Sequence, residues 1–279
     1  MERPPEADEA AELPRASPGR DVLGGVGLLL AGVCFALGGA ALLVRAPDLP
    51  EAQLLATLAS QGLFACTAFG GLLVAGRAAL PQGLRLERPS LRAPLVALLT
   101  LGFVLTSHGI SLLLASFSLR DTGTLGEIDR VVAASRGPSL LLAVAALGIA
   151  PAFGEELLFR GLVQQAALRR LGSAAAVALA AACFGLIHLD PVQSPAAFAL
   201  GLYLGAAVQL GGSLWVAILC HGVNNTLSVL TPAFRVEASG AEMAAVIGGL
   251  LTAGAALLAF VARRGRSGPR GDSTLPGVR

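Results

Sequence analysis

The sequence predicts an all-α protein, a polytopic membrane helix bundle of about eight transmembrane helices. Only 14% of its 279 residues are charged, and 54% are hydrophobic. A soluble domain carries about 25% charged residues, so close to half the usual charge is missing. The mean hydropathy is +0.73. The remaining charge crowds into residues 1–21, 77–92, 120–136 and 263–279, leaving long tracts of Ala, Leu, Val and Gly between. Apolar runs of about 18 residues or more read as membrane helices. These observations exclude an ordinary water-soluble globule. An outer-membrane barrel is disfavoured as well, because the runs are continuous rather than alternating.

In chain order, residues 1–21 are rich in Pro, Glu and Ala and read as a disordered cytoplasmic leader. The first apolar run, 22–44, exceeds the about 7–15 residues of a signal-peptide core and should stay in the membrane. Further runs follow at 54–76, 94–117, 138–168, 173–189, 195–210, 213–230 and 241–262. The run 138–168 is longer than the about 20 residues needed to cross and should project beyond the bilayer. The short connections Asp190–Ser194 and Gly211–Gly212 imply antiparallel neighbours. Gly201 and Gly205 form a GxxxG pair, a weak sign of close helix packing. The membrane domain is thus 22–262, with a catalytic core at 138–230, and 263–279 is a basic cytoplasmic tail.

Arginine sets the orientation. The chain has 20 basic residues, all arginine. With eight spans, fourteen fall on the side of both termini, five fall on the other, and Arg160 lies within a helix. The excess of basic residues marks the cytoplasmic side, so both termini should be cytoplasmic. The expected location is a bacterial inner membrane, with the protein multi-pass and integral. A net charge of +2 is too balanced to suggest nucleic-acid binding. Cys34, Cys66, Cys183 and Cys220 sit in apolar runs without paired spacing. They read as small core hydrophobes, not as a disulfide framework or a zinc site.

An ionisable residue in an apolar helix is costly and is a functional candidate by default. The candidates are His108, Glu155, Glu156, Arg160, His188 and His221, with the amides Asn224 and Asn225. Adjacent carboxylates on a helix diverge by about 100°, so Glu155 and Glu156 cannot share one partner. Glu156 and Arg160 stand at i and i+4, the spacing of an ion pair, which serves equally as a purely structural pair. Glu155 is left without a local counter-charge, and a desolvated carboxylate can act as a general base. If Leu171–Gly172 is a turn, Glu155 and His188 each lie roughly 24 Å from it, at matching depth on adjacent helices. His221 and Asn225, also i and i+4, share one face of the seventh helix. Glu155 and His188 could polarise a water while His221 and Asn225 donate to a developing oxyanion. His108 fits no such set and reads as a satisfied core histidine.

These residues also carry a resemblance. Glu155-Glu156-x-x-x-Arg160, Phe184-x-x-x-His188 and His221-x-x-x-Asn225 resemble, in order, the three motifs of the CPBP family, the CAAX prenyl protease-like intramembrane glutamic endopeptidases also known as Abi proteins. The resemblance implies metal-free peptide-bond hydrolysis within the membrane, with no cofactor. It assigns Glu155 and His188 to water activation, His221 and Asn225 to the oxyanion, and Glu156 and Arg160 to support. It further implies a peptide or protein substrate, membrane-associated or lipidated, and the arginine count places its cleavage near the cytoplasmic face. Three other readings stay open. A zinc peptidase could use Glu155, His188 and His221 as ligands, although no HExxH is present. The same buried charges could form a proton relay in a transporter. A non-catalytic immunity or scaffold protein is the third. A cysteine protease built on Cys220 and His221 is weaker, because neighbouring helical residues point in different directions.

Overall fold

The computed structural model describes residues 50–74, 83–231 and 240–266. The leader 1–21, the expected span 22–44 and the tail after Arg266 lie outside the described residues. Eight helices are described: α1 Pro50–Val74, α2 Ala93–Ser116, α3 Gly123–Ala134, α4 Pro138–Leu168, α5 Ser173–Leu186, α6 Gln193–Gly211, α7 Leu214–Leu230 and α8 Gly240–Arg266. No strand occurs among the described residues. Helices α1, α2, α4, α6 and α8 are long and apolar enough to cross a membrane, and α5 and α7 are shorter apolar helices. Large apolar side chains point outward along their length, with Leu73, Leu141 and Leu186 each at least 66% exposed. In water that outer surface would be strongly unfavourable, and against lipid it is not. The protein is an all-helical, polytopic membrane bundle.

Two ends of the bundle are fixed by loop hydrogen bonds. At one end the connection before α2 clasps the turn between α6 and α7. Ser90 N donates to Gly211 O at 2.8 Å, and Leu214 N donates to Arg85 O at 2.8 Å. Ser213 Oγ reaches Glu87 O at 2.6 Å and accepts from Trp215 N, capping α7. Because this end also carries Arg85, Arg88 and Arg92, it is termed here the arginine-rich end. At the opposite end, Thr124 N donates to Asp190 Oδ2 at 3.0 Å, tying α3 to the connection between α5 and α6.

Two features differ from the sequence expectation. The segment 118–137, expected as a charged connection, contains α3. Its apolar residues Leu125, Ile128 and Val132 recur at helical spacing, so a short amphipathic helix was readable there. The fifth helix ends at Leu186, not at 189. Leu189 has φ 49°, the left-handed region that ends helices, and Asp190 precedes Pro191, which disfavours helical backbone at that residue.

Helix α4 is not a regular α-helix. Val144–Ile149 and Leu157–Val163 are π-helical, and Pro151 lies between them. Proline has no N–H for the carbonyl four residues back, here Leu147. The Asn225 carboxamide donates to that carbonyl at 3.3 Å. The wide turns flank Glu155 and Glu156 and change the direction in which neighbouring side chains leave the helix.

Candidate active site

Helix α4 supplies the charge. Glu156 and Arg160 are both fully buried, and Arg160 Nη1 donates to Glu156 Oε1 at 2.8 Å. The guanidinium also donates to Gly201 O at 3.2 Å, and its carbon lies 4.3 Å from the centre of the Phe184 ring. A buried ion pair offsets its desolvation only when its remaining polar groups find partners. The carbonyl of α6 and the ring of α5 supply two of them. Gln164, one helical turn further, donates to Gly205 O at 3.1 Å. The GxxxG pair on α6 therefore presents two backbone acceptors to α4. A Cβ at Gly201 would lie 3.1 Å from Arg160 Nη2, and one at Gly205 would lie 2.8 Å from Gln164 Oε1.

His221, on α7, stands between the adjacent glutamates. Its Nδ1 is 2.8 Å from Glu156 Oε1, and its Nε2 is 3.9 Å from Glu155 Oε2. Glu156 is a carboxylate held by Arg160, so it accepts from Nδ1 and fixes the ring plane. Nε2 is thereby aimed at Glu155.

Glu155 has a partner that sequence reasoning missed. Gln61 Nε2 of α1 donates to Glu155 Oε1 at 3.0 Å. Gly154 permits the approach, since a Cβ there would lie 2.6 Å from Gln61 Oε1. The signal in the sequence was faint: an uncharged amide inside an apolar run, 94 positions from its partner.

His188 lies just past the end of α5. Its Nδ1 is 2.8 Å from Phe184 O, and a carbonyl can only accept, so Nδ1 donates and Nε2 is left as the acceptor nitrogen. Phe184 packs edge-on against both His188 and His221, with ring centres 5.1 Å and 6.1 Å apart. Asn225 accepts from Asn224 Nδ2 at 3.1 Å besides its bond to Leu147. His108 is not part of this group. Its Nδ1 contacts Val104 O on its own helix at 3.0 Å.

Glu155, His188, His221 and Asn225 all line one cavity of about 460 Å³, together with Gln61 and Asn224. Among the described residues, no hydrogen bond joins Glu155 directly to His188. The zinc reading needs three His, Cys, Asp or Glu side chains grouped as ligands, and among the described residues no such group occurs. Cys66, Cys183 and Cys220 are free, and Cys34 lies outside the described residues.

Residues 137–227, which span α4 to α7 and every side chain of the constellation except Gln61, match the family model described as type II CAAX prenyl endopeptidase Rce1-like. The chain carries an Rce1-like domain of the CAAX protease family. The match covers about a third of the chain. No curated protein and no solved structure matched the chain. Helices α1, α2, α3 and α8 lie outside the Rce1-like domain, yet α1, α2 and α3 contribute cavity walls. Arg120, just before α3, lines the cavity with Leu125, Ile128 and Val132 of that helix. Arg120 is itself held by Asp129 at 2.9 Å and by Ser111.

Proposed function

We propose that the Rce1-like domain hydrolyses a peptide bond within the membrane by a metal-independent, glutamate-based mechanism. Glu155, as carboxylate, takes a proton from a water that also donates to His188 Nε2. The water oxygen forms a bond to the scissile carbonyl carbon, and the carbonyl electrons become an oxyanion. His221, as an imidazolium whose Nδ1–H rests on Glu156, donates its Nε2–H to that oxyanion, together with the second amide hydrogen of Asn225. Collapse of the adduct breaks the C–N bond, and the proton held by Glu155 passes to the leaving amine, giving one acid and one amine. Glu156 and Arg160 are positioning residues that hold His221.

The observation that carries this reading is the convergence of Glu155, His188, His221 and Asn225 on one cavity from two helices and a helix-terminal turn. The orientation of His221 supports it further, because Glu156 on Nδ1 leaves Nε2 directed toward Glu155. The substrate is a peptide or protein segment that enters the bilayer, lipidated or membrane-associated, and both termini lie in the cytoplasm of a bacterial inner membrane.

The test is cleavage of a quenched peptide library by purified protein in lipid, comparing the natural chain with Glu155→Gln and His188→Ala. Cleavage by the natural chain and its loss in both variants is the expected result, and equal cleavage by all three would sink the mechanism. A chelator should leave the rate unchanged. Activity lost to chelation and restored by Zn²⁺ would favour the zinc reading, and Glu155-dependent proton flux in liposomes without hydrolysis would favour a transporter.

A further inference from the structure

Asn225 can offer an N–H to an oxyanion only if its carboxamide is held one way round. The partners of an amide decide which end is oxygen and which is nitrogen. Pro151 has no N–H to give the carbonyl of Leu147, and Asn225 Nδ2 donates to that carbonyl at 3.3 Å. The reversed amide would set oxygen against oxygen there. With its nitrogen so placed, Asn225 presents Oδ1 to its neighbour and accepts from Asn224 Nδ2 at 3.1 Å. Adjacent helical side chains ordinarily leave the axis about 100° apart, yet these two carboxamides meet, and both residues line the cavity.

Asn224 is left poorly satisfied by this arrangement. It is 4% exposed, and its Oδ1 finds no donor among the described residues. Buried acceptors are nearly always paired, so an unpaired one calls for a reason. Turning the Asn224 amide round would not help, because its oxygen would then face Asn225 Oδ1. The orientation of Asn224 is therefore dictated by Asn225, and that of Asn225 by Leu147. Leucine, branched at the same carbon, would fill this place without burying an unpaired polar atom.

We propose that Asn224 is a positioning residue, which fixes the Asn225 carboxamide so that one N–H rests on Leu147 and the other serves the oxyanion. The consequence for cleavage rests on the peptidase reading, and the held amide does not.

The chain contains two asparagines, Asn224 and Asn225, so labelling with nitrogen-15 asparagine gives two side-chain amide groups in the magnetic resonance spectrum. In the purified full chain in lipid, the Asn225 amide should be as rigid as backbone, with an order parameter of about 0.85. A value below about 0.6 marks a mobile side chain and overturns the inference without any variant. In Asn224→Leu the Asn225 amide should lose that rigidity, and unchanged rigidity overturns the inference. The same variant should lower kcat between about tenfold and the 10²–10³ expected for a lost oxyanion donor, with KM nearly unchanged and Tm not lowered. Full kcat, or a kcat that falls only together with Tm, overturns the positioning role. A natural chain that holds the Asn225 amide, loses it in Asn224→Leu and cleaves no peptide counts against the peptidase reading alone.

Discussion

His221 Nδ1 lies 2.8 Å from Glu156 Oε1, so the carboxylate that neutralises Arg160 also orients the imidazole that faces Glu155. The two adjacent glutamates consequently have separable roles. Glu156 is fully buried and holds the fold and the histidine together, and Glu155 lies on the cavity wall, 13% exposed.

That separation predicts opposite stability signatures. Glu156→Gln leaves Arg160 as an uncompensated buried charge, at a cost of about 3–5 kcal/mol. It should lower the Tm in detergent sharply as well as abolish cleavage. Glu155→Gln retains an oxygen for Gln61, so its Tm should stay near that of the natural chain while the rate falls by roughly 10²–10⁴. Differential scanning fluorimetry beside the peptide assay distinguishes the two. A Glu155→Gln protein as unstable as Glu156→Gln would refute the division of roles.

Gln61→Ala should remove one orienting hydrogen bond from Glu155. A net loss of about 1 kcal/mol of stability is expected, with kcat reduced about tenfold, equivalent to about 1.4 kcal/mol in the barrier. KM should be nearly unchanged, because Gln61 aims a carboxylate and is not placed to bind the peptide. A rise in KM with kcat preserved would instead make Gln61 a substrate contact.

The α4–α6 seam depends on close approach. Gly205→Ala would put a methyl group 2.8 Å from Gln164 Oε1 and 2.8 Å from Val177 Cγ1, and overpacking of this kind costs about 1–3 kcal/mol. Gly62 on α1 has nothing within 4 Å of an added Cβ, so Gly62→Ala should stabilise by up to about 1 kcal/mol through helix propensity. Thermal melts of the two variants should move in opposite directions.

Asp190 gives a pH-dependent anchor for α3. Its carboxylate accepts backbone N–H bonds from Gln193 at 2.8 Å, from Thr124 at 3.0 Å and from Val192 at 2.8 Å. These bonds, that from Gln193 foremost, hold its carboxyl below the ordinary value of 3.8. A carboxyl lowered on folding stabilises the folded state fully above its unfolded value and loses that contribution as the pH falls through the folded one. Asp190→Asn should therefore melt below the natural chain at neutral pH, with the gap closing only below 3.8. Gly123 reinforces the same contact. It has φ 56°, and a Cβ there would run into Asp190 Oδ2. Faster proteolysis within 118–137 in Asp190→Asn at pH 7 reads the anchor directly, and unchanged proteolysis would show that Asp190 does not hold α3.

Much of this arrangement was legible in the sequence. Continuous apolar runs gave the long helices, and the i, i+4 spacing gave the Glu156–Arg160 pair, which the structure closes at 2.8 Å. Depth counting from the 171–172 turn brought Glu155 and His188 to one level, and both line the cavity. What escaped shares a physical reason. Gln61 acts on a residue 94 positions away, and helical periodicity carries no information about which helix lies alongside. Helix α3 is short and half polar, so its apolar stripe was hidden by its charges.

Loop charge and hydrophobic length act residue by residue on partition between lipid and water, so the sequence by itself determined a multi-pass helical chain, its arginine asymmetry and the few ionisable groups within its spans. Which of those groups meet, and at which end their cavity lies, depends on contacts between helices distant in the chain. Pro151 freed a carbonyl, and only the fold brought Asn225 to it. Adjacent glutamates diverge on any helix, and only the packing of α7 and α1 against α4 gave one to His221 and the other to Gln61.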